Sequence, residues 1–153
     1  MKVVINSVRG YLNPSPTLIM KYAELLGKKA YFYERVLFYR DEHSITHFKV
    51  DPYERKNNSD VITTTEDCGK AATDESVYKN YFSINRVDRN DVILIQAVES
   101  LKAEGLDEQT NELEIIEIPD SIEFHISYDE DDYDYSGETI VEEHRTWNAR
   151  KGE

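Results

Sequence analysis

The sequence is poor in residues that cross-link a chain, bind metals or cross a membrane. Cys68 is the one cysteine in 153 residues, so no disulfide can form within the chain and no cysteine-rich zinc site can be built. No apolar run approaches the roughly 20 residues that span a bilayer, and a short strand-like run stands where a signal peptide would have its apolar region. We therefore expect a soluble, cytoplasmic protein with no membrane partner.

Motifs for catalysis are also missing. The chain contains no glycine-rich phosphate loop, no Ser-His-Asp order and no histidine-carboxylate metal cluster, and Cys68 has no basic neighbour to activate its thiol. Sequence patterns thus favour a non-catalytic protein that needs no cofactor.

What the chain does have is acidic charge, unevenly distributed. Net charge is −13, and it runs from +4 in residues 1–50 through −4 in residues 51–100 to −13 in residues 101–153. A surface of this sign repels phosphate backbones, so direct nucleic-acid binding is not expected, whereas a basic surface on another protein would be attracted. The change from positive to negative net charge along the chain also permits head-to-tail association into a homo-oligomer.

The densest acidic segment is the candidate partner-binding site. It could equally be a solvated coat that keeps the protein in solution. The partner-binding residues that it predicts are Asp129, Glu130, Asp131, Asp132 and Asp134.

The first half of the chain has the pattern of a strand, a helix and a hairpin. Lys2–Asn6 is a β-branched run, and apolar residues at three-to-four spacing predict a helix that begins at Pro16 and stops at Gly27. Ala30–Tyr39 and Ile45–Val50 predict a β-hairpin. If the first strand, the helix and the third segment form a βαβ unit, its crossover should be right-handed.

The middle of the chain is less regular. Residues 51–76 lack periodicity and predict a mobile loop with a short strand at Val61–Thr64. A second helix is predicted from an Asn90 cap to Gly105. Its predicted apolar face consists of Val92, Ile95, Val98 and Leu101, with Leu94 beside it.

The last third predicts two strands and a short helix. Leu113–Ile118 and Ile122–Tyr128 alternate with acidic residues around Pro119, which favours an antiparallel or bent pair, and Glu138–Trp147 has helical spacing. Residues 148–153 predict a frayed tail. The expected fold class is α/β or α+β: a single mixed-sheet domain over residues 1–153 with two main helices and a short C-terminal helix.

Several segments resemble an uncharacterised family of small bacteriophage and prophage proteins. They are Val3-Val4-Ile5-Asn6, Leu18–Gly27, Arg89-Asn90-Asp91, Leu113–Asp120 (LEIIEIPD) and Glu143-His144-Arg145-Thr146-Trp147. Similar sequences commonly have Gly-Gly-Phe after the first strand, where this chain has Arg9-Gly10-Tyr11. The resemblance implies a viral or prophage origin and, by association, an accessory role in binding and blocking a host factor, such as a defence protein.

A second binding hypothesis places a nucleotide-like anion at the first loop. In an α/β layout that loop lies at the carboxyl end of the first strand, where ligands commonly bind. A guanidinium and a large ring near the C-terminus would suit a phosphate and a base, although both could simply pack on the core. The residues of this alternative site are Asn6, Arg9, Tyr11, Arg145 and Trp147.

Two further patterns stay open at this point. Asp132, Asp134, Ser136, Gly137 and Glu143 match positions of a calcium-binding loop, although a strand precedes them where a helix should.

The other pattern is His125-Ile126-Ser127, which matches one half of a two-histidine phosphoesterase signature. His43 and His47 do not supply the second half. The phosphoesterase-like hydrolase therefore ranks as a second alternative, and His125 reads more simply as an ordinary strand residue.

Overall fold

The computed structural model describes residues 1–8, 12–37, 45–54, 61–127 and 137–142. The chain forms two compact units, residues 1–15 with 87–153 and residues 16–86. The helices are α1 (Pro16–Leu25), α2 (Asp74–Lys79), α3 (Val92–Glu104) and α4 (Glu108–Asn111). The strands are β1 (Lys2–Asn6), β2 (Tyr31–Leu37), β3 (Ile45–Lys49), β4 (Val61–Thr64), β5 (Ala71–Thr73), β6 (Tyr81–Phe82), β7 (Leu113–Glu117), β8 (Phe124–Ser127) and β9 (Thr139–Glu142).

The fold class is α+β, as predicted. Every strand pair in the described residues is antiparallel, and α1 and α3 are the two main helices. That residues 1–153 make one domain, and that residues 148–153 fray, stay predictions.

A five-stranded sheet organises the unit of residues 16–86. Its order is β5-β3-β2-β4-β6, and the predicted β2–β3 hairpin is confirmed. On one face Tyr33 of the central strand packs with Ala72 and with Val77 of α2. Elsewhere in the unit Tyr22 of α1 stacks on Phe82 with ring centroids 5.5 Å apart. Aromatic side chains thus supply much of this core.

The first helix begins and ends where its sequence predicts. Pro16 is its first residue, and Gly27 adopts a φ of 74°. The Gly27 N–H donates to the Glu24 carbonyl at 2.9 Å and the Lys28 N–H to the Ala23 carbonyl at 2.8 Å. This is the Schellman arrangement, which the left-handed glycine makes possible.

Residues 51–76 contain more regular structure than predicted. The strand Val61–Thr64 is confirmed, but β5 and the start of α2 also lie here. Thr73 caps α2, its hydroxyl accepting the Ser76 N–H at 3.2 Å. Elements of three and six residues show too few turns of a pattern to be recognised by periodicity.

The other unit is built around β1 and α3. Val3 and Val4 are fully buried although they point to opposite faces, so β1 is covered on both sides. In α3 the cap is Asp91, not Asn90, because the Asp91 carboxylate accepts the Leu94 N–H at 2.9 Å. Val92 is 65% exposed and lies off the buried face, contrary to the prediction. The buried face consists of Leu94, Ile95, Ala97, Val98 and Leu101.

Three predictions about strands and their partners were wrong. Strand β1 pairs with β7 in its own two-stranded sheet, so β1 and β2 do not form a βαβ unit. The two acidic strands do not pair with each other: β8 pairs with β9 instead. Residues 139–142 of the predicted C-terminal helix are strand β9, since cross-strand pairing with β8 overrides a short helical spacing.

Candidate functional site

Charge is divided unequally between the two units. Residues 1–15 and 87–153 carry 20 acidic and 7 basic side chains, whereas residues 16–86 carry 11 of each. The whole net charge of −13 therefore belongs to the first set, which we call the acidic unit, and residues 16–86 are the neutral unit. The gradient along the sequence becomes a difference between two folded units.

Among the described residues of the acidic unit, most carboxylates are exposed and few have a cation beside them. Lys2 pairs with Glu99 at 2.6 Å, while the Lys102 ammonium donates to the carbonyls of Asn111 and Leu113. Seven further acidic residues are exposed and have no lysine or arginine partner among the residues described. They are Asp88, Glu104, Glu108, Glu112, Glu114, Glu123 and Glu142.

Most predicted binding residues fall outside the described part of the chain. This holds for the acidic tract, for four of the five residues of the alternative ligand site and for all four candidate calcium ligands. The partner, ligand and calcium hypotheses thus stay predictions. The residues concerned are Asp129, Glu130, Asp131, Asp132, Asp134, Arg9, Tyr11, Arg145, Trp147, Ser136 and Glu143.

An ion pair between Arg89 and Glu138 connects distant segments of the acidic unit. Glu138 is 5% exposed and meets Arg89 in a two-pronged pair, with Nη1–Oε1 at 2.6 Å and Nη2–Oε2 at 2.7 Å. Its carboxylate also accepts the backbone N–H groups of Asn6 at 2.8 Å and Leu12 at 3.3 Å. Both ends of the first loop are therefore held by one carboxylate.

The hydrogen bonds keep this carboxylate ionised. Burial alone raises the pKa of Glu138, but hydrogen bonds from Arg89 and from the Asn6 N–H outweigh it, so the pKa lies below its usual 4.5. Each oxygen of this buried carboxylate accepts one hydrogen bond from the Arg89 guanidinium and one from a backbone N–H. We refer to Arg89, Glu138 and the two loop ends, Asn6 and Leu12, as the clasp.

Gly137 brings the clasp close to β1. Its φ is 118°, and a β-carbon at this position would overlap the backbone oxygens of Asn6 and Val8. The Glu138 N–H also donates to the Asn6 carbonyl at 2.8 Å. Only glycine allows the two backbone segments to approach this closely. Gly137, which the sequence placed in a candidate calcium loop, is thus required for this close contact.

Asp107 is a second structural carboxylate of the acidic unit. It accepts hydrogen bonds from Ser15 Oγ at 2.6 Å, from the Thr110 N–H at 3.2 Å and from the Thr110 hydroxyl. It therefore caps α4 and holds the end of the segment that follows the first loop. Asp107 and Glu138 are engaged internally, unlike the seven exposed carboxylates.

Asn6, the one described residue of the alternative ligand site, is part of the clasp. It is 7% exposed, and its Oδ1 accepts the Val8 N–H at 3.2 Å. The position of Asn6 was correctly associated with the loop, but the α/β argument for a ligand there loses its basis because β1 belongs to an antiparallel pair. Sequence reasoning missed Arg89 and Glu138, since 49 residues separate them.

His125 and His47 differ in burial and in their contacts. His125 is exposed on β8, where it pairs with Val141. His47 is fully buried on β3, contacts the Asp74 carboxylate through Nε2 and meets the Tyr78 ring edge-on at 5.9 Å. Its Nδ1 has no hydrogen-bond partner in the described chain. His47 thus connects β3 to the start of α2.

The cysteine loop of the neutral unit is held by Tyr33. The Tyr33 hydroxyl accepts the Cys68 N–H and donates to the Gly69 carbonyl, both at 2.9 Å. Asp67 accepts from Lys49 at 2.6 Å, and this hydrogen bond lowers the pKa of Asp67. The loop is therefore anchored to the sheet, although its sequence predicted mobility.

Neither the described side chains nor the comparisons with known proteins point to a metal site, a membrane helix or a family. Among the described residues, no three histidine, cysteine or acidic side chains are grouped to hold a metal ion, and no helix has the length and apolarity to cross a bilayer. No family model matches the chain, and comparisons with curated proteins and solved structures return no match.

Proposed function

We propose that the chain is a non-catalytic binding protein whose acidic unit docks on a basic surface of a host protein and blocks it. The observation that carries this proposal is the confinement of the whole net charge to one of two units. A charge spread evenly for solubility would not leave residues 16–86 with equal numbers of acids and bases.

The exposed carboxylates support an electrostatic mode of binding. Seven of them have no cationic partner in the described residues, so their potential is not cancelled locally. Such a potential accelerates encounter with a positive surface and rejects negative ones. At physiological ionic strength its reach is about 8 Å, so binding should weaken as salt rises.

The clasp supports binding by a preformed surface. Because Glu138 holds Asn6, Leu12 and Arg89 together, the backbone that leads into β9 is fixed before any partner arrives. A preorganised surface loses less conformational entropy on binding than a mobile one. The acidic residues 129–134 directly precede this anchored segment in the sequence.

The resemblance to phage and prophage proteins gives the class of partner that we propose. A protein of that setting would act in the cytosol of a bacterial host, and its target would be a host factor such as a defence component. A groove that normally holds nucleic acid has the required positive surface.

The test compares two charge-swapped variants of equal charge change. The first replaces Asp129, Asp131, Asp132 and Asp134 of the acidic unit by lysine. The second replaces Glu24, Glu54, Glu66 and Glu75 of the neutral unit, all exposed or half-exposed. Immobilised full-length protein is exposed to host lysate, and bound proteins are identified and their affinities measured against salt concentration.

We expect the first variant to lose the captured partner and the second to keep it with the same salt dependence. Equal retention by both variants would rule out residues 129–134 as the binding surface. Loss of capture only in Arg145→Ala and Trp147→Ala, together with thermal stabilisation by nucleotides, would instead favour the nucleotide-like ligand.

A further inference from the structure

The two outer edges of the sheet formed by β1 and β7 differ in how far their backbone groups are hydrogen-bonded. In its register Val4 lies opposite Ile115 and Lys2 opposite Glu117. The Ile118 N–H donates to the Met1 carbonyl and the Ser7 N–H to the Glu112 carbonyl. Since antiparallel pairs alternate between bonded and non-bonded, even-numbered residues of β7 point their backbone groups at β1, and odd-numbered residues point them away.

The outer edge of β1 is closed by the clasp at Val4 and Asn6. The Val4 N–H donates to the Arg89 carbonyl at 2.9 Å, and the Val4 carbonyl accepts from the Arg89 guanidinium at 3.2 Å. The Asn6 N–H and carbonyl are both bonded to Glu138. The outward backbone groups of Val4 and Asn6 are thus satisfied by one ion pair and its backbone, whereas those of Lys2, the third outward-pointing residue of β1, have no partner among the described residues.

The outer edge of β7 is open. Of its three outward-pointing residues, Leu113 has its carbonyl covered by the Lys102 ammonium. The outward N–H and carbonyl groups of Ile115 and Glu117 have no hydrogen-bond partner within the described ranges. An edge with free backbone groups is a template for an added strand.

Side chains along this edge select a basic occupant. Glu114 and Glu117 are exposed on opposite faces of β7, and Glu112 is exposed just before it. Glu117 faces Lys2 across the strand pair. Among the described residues, no lysine or arginine forms an ion pair with Glu112 or Glu114, although the Lys102 ammonium binds the backbone carbonyls on either side of Glu112. Pairing this edge with the same edge of a second copy would bring two sets of glutamates together, which disfavours self-association.

We propose that the open edge of β7 receives an extended segment of the partner protein that carries lysine or arginine side chains. Main-chain hydrogen bonds to Ile115 and Glu117 would supply part of the affinity, and basic side chains beside Glu114 and Glu117 would supply the selection. This inference rests on the binding function proposed above and specifies how the partner engages the acidic unit.

The test uses full-length protein and three synthetic ten-residue peptides. One alternates lysine and valine, the second has the same sequence with alternate backbone nitrogens methylated, and the third replaces lysine by glutamate. Affinity is measured by calorimetry, and amide hydrogen exchange is followed at Ile115 and Glu117. We expect the lysine peptide to bind and to slow exchange at both amides, with about tenfold weaker binding after methylation.

A pair of variants tests the edge from the protein side. The one backbone donor that Ile115→Pro removes is an outward N–H, so this variant should weaken the lysine peptide about tenfold, whereas Ile115→Ala also loses the isoleucine side chain but keeps that N–H and should bind within about twofold. Should Ile115→Pro fail to fold, the exchange measurement on the unaltered protein still decides.

Each result has a distinct meaning. Equal binding of the plain and methylated peptides, with unchanged exchange at the two amides, would overturn docking at the β7 edge and leave the acidic binding function standing. Absence of binding by both lysine peptides at low salt would contradict both proposals. A dimer that dissociates in Ile115→Pro would show that a second copy occupies the edge and would also overturn the inference.

Discussion

The acidic and neutral units solve the problem of buried polar groups differently. In the acidic unit a charged pair, Arg89 and Glu138, is buried and holds two loop ends and a strand edge. In the neutral unit the Lys49–Asp67 pair lies nearer the surface, and the Tyr33 hydroxyl holds the loop. Stability should depend on one carboxylate in the first unit and on smaller, separate contacts in the second.

The largest expected effect is the loss of the Glu138 carboxylate. Glu138→Ala leaves the Arg89 guanidinium with only the Val4 carbonyl and removes the carboxylate acceptor of two backbone N–H groups, which costs about 3–5 kcal/mol of unfolding free energy. Denaturant titration measures the loss, and Glu142→Ala, an exposed change at the end of β9, the strand that follows Glu138, is the matched control. Hydrogen exchange should accelerate mainly in the acidic unit. Equal acceleration in both units would mean that they unfold together and would break the comparison.

Acid should reproduce a weaker form of that change. The pKa of Glu138 is lower in the folded protein than in the unfolded chain, because hydrogen bonds from Arg89 and Asn6 outweigh the effect of burial. Its contribution is therefore complete above the ordinary value of 4.5 and is lost as pH falls through the lower folded value. Stability measured from pH 6 downward, in protein with and without Glu138→Gln, should converge in acid. Parallel curves would show that this carboxylate does not control acid stability.

A β-carbon at Gly137 should also destabilise the acidic unit, by a smaller amount than the loss of the Glu138 carboxylate. Gly137→Ala places a methyl group against the Asn6 and Val8 backbone at a positive φ, which should cost about 1–3 kcal/mol. Gly69→Ala, also at positive φ but with more room, is the control from the neutral unit. The midpoint temperature of thermal unfolding should fall further for Gly137→Ala than for Gly69→Ala. Equal decreases would contradict a close backbone approach at Gly137.

The smallest expected effect concerns the neutral unit. Tyr33→Phe removes the acceptor for the Cys68 N–H and the donor to Gly69, which should cost about 1–2 kcal/mol. The Cys68 thiol should then react faster with an alkylating reagent, while exchange in the acidic unit stays unchanged. Tyr53→Phe, which alters an exposed hydroxyl, is the control. An unchanged alkylation rate would show that the loop is held by other contacts.

Local patterns predicted elements well where the signal lay within a few residues. Pro16 and Gly27 bounded α1, and Gly105 ended α3, because caps act through neighbouring backbone groups. Val92 was misplaced since a mean apolar face does not show which residues a neighbouring strand covers. Residues 139–142 were misplaced because a four-residue strand and a short helical spacing look alike until a partner strand is known.

For the candidate site, too, short-range features could be predicted from the sequence and long-range contacts could not. The acidic excess of the last third was readable from residue counts, and it led to the acidic unit. The clasp was not readable, because Arg89 and Glu138 carry no spacing signal and the loop ends they hold lie more than 120 residues from Glu138.

By itself, the amino-acid sequence determined the net charge of each segment, both ends of α1 and the end of α3, because these depend on residue type and near neighbours. Tertiary structure decided which strands pair, which carboxylates are buried and which remain exposed. It also decided that Val4 and Asn6 on the outer edge of β1 are hydrogen-bonded, whereas Ile115 and Glu117 on the outer edge of β7 have no partner in the described part of the chain. These outcomes depend on contacts between residues far apart in the chain, where the free energy of pairing depends on the partner and not on the local pattern.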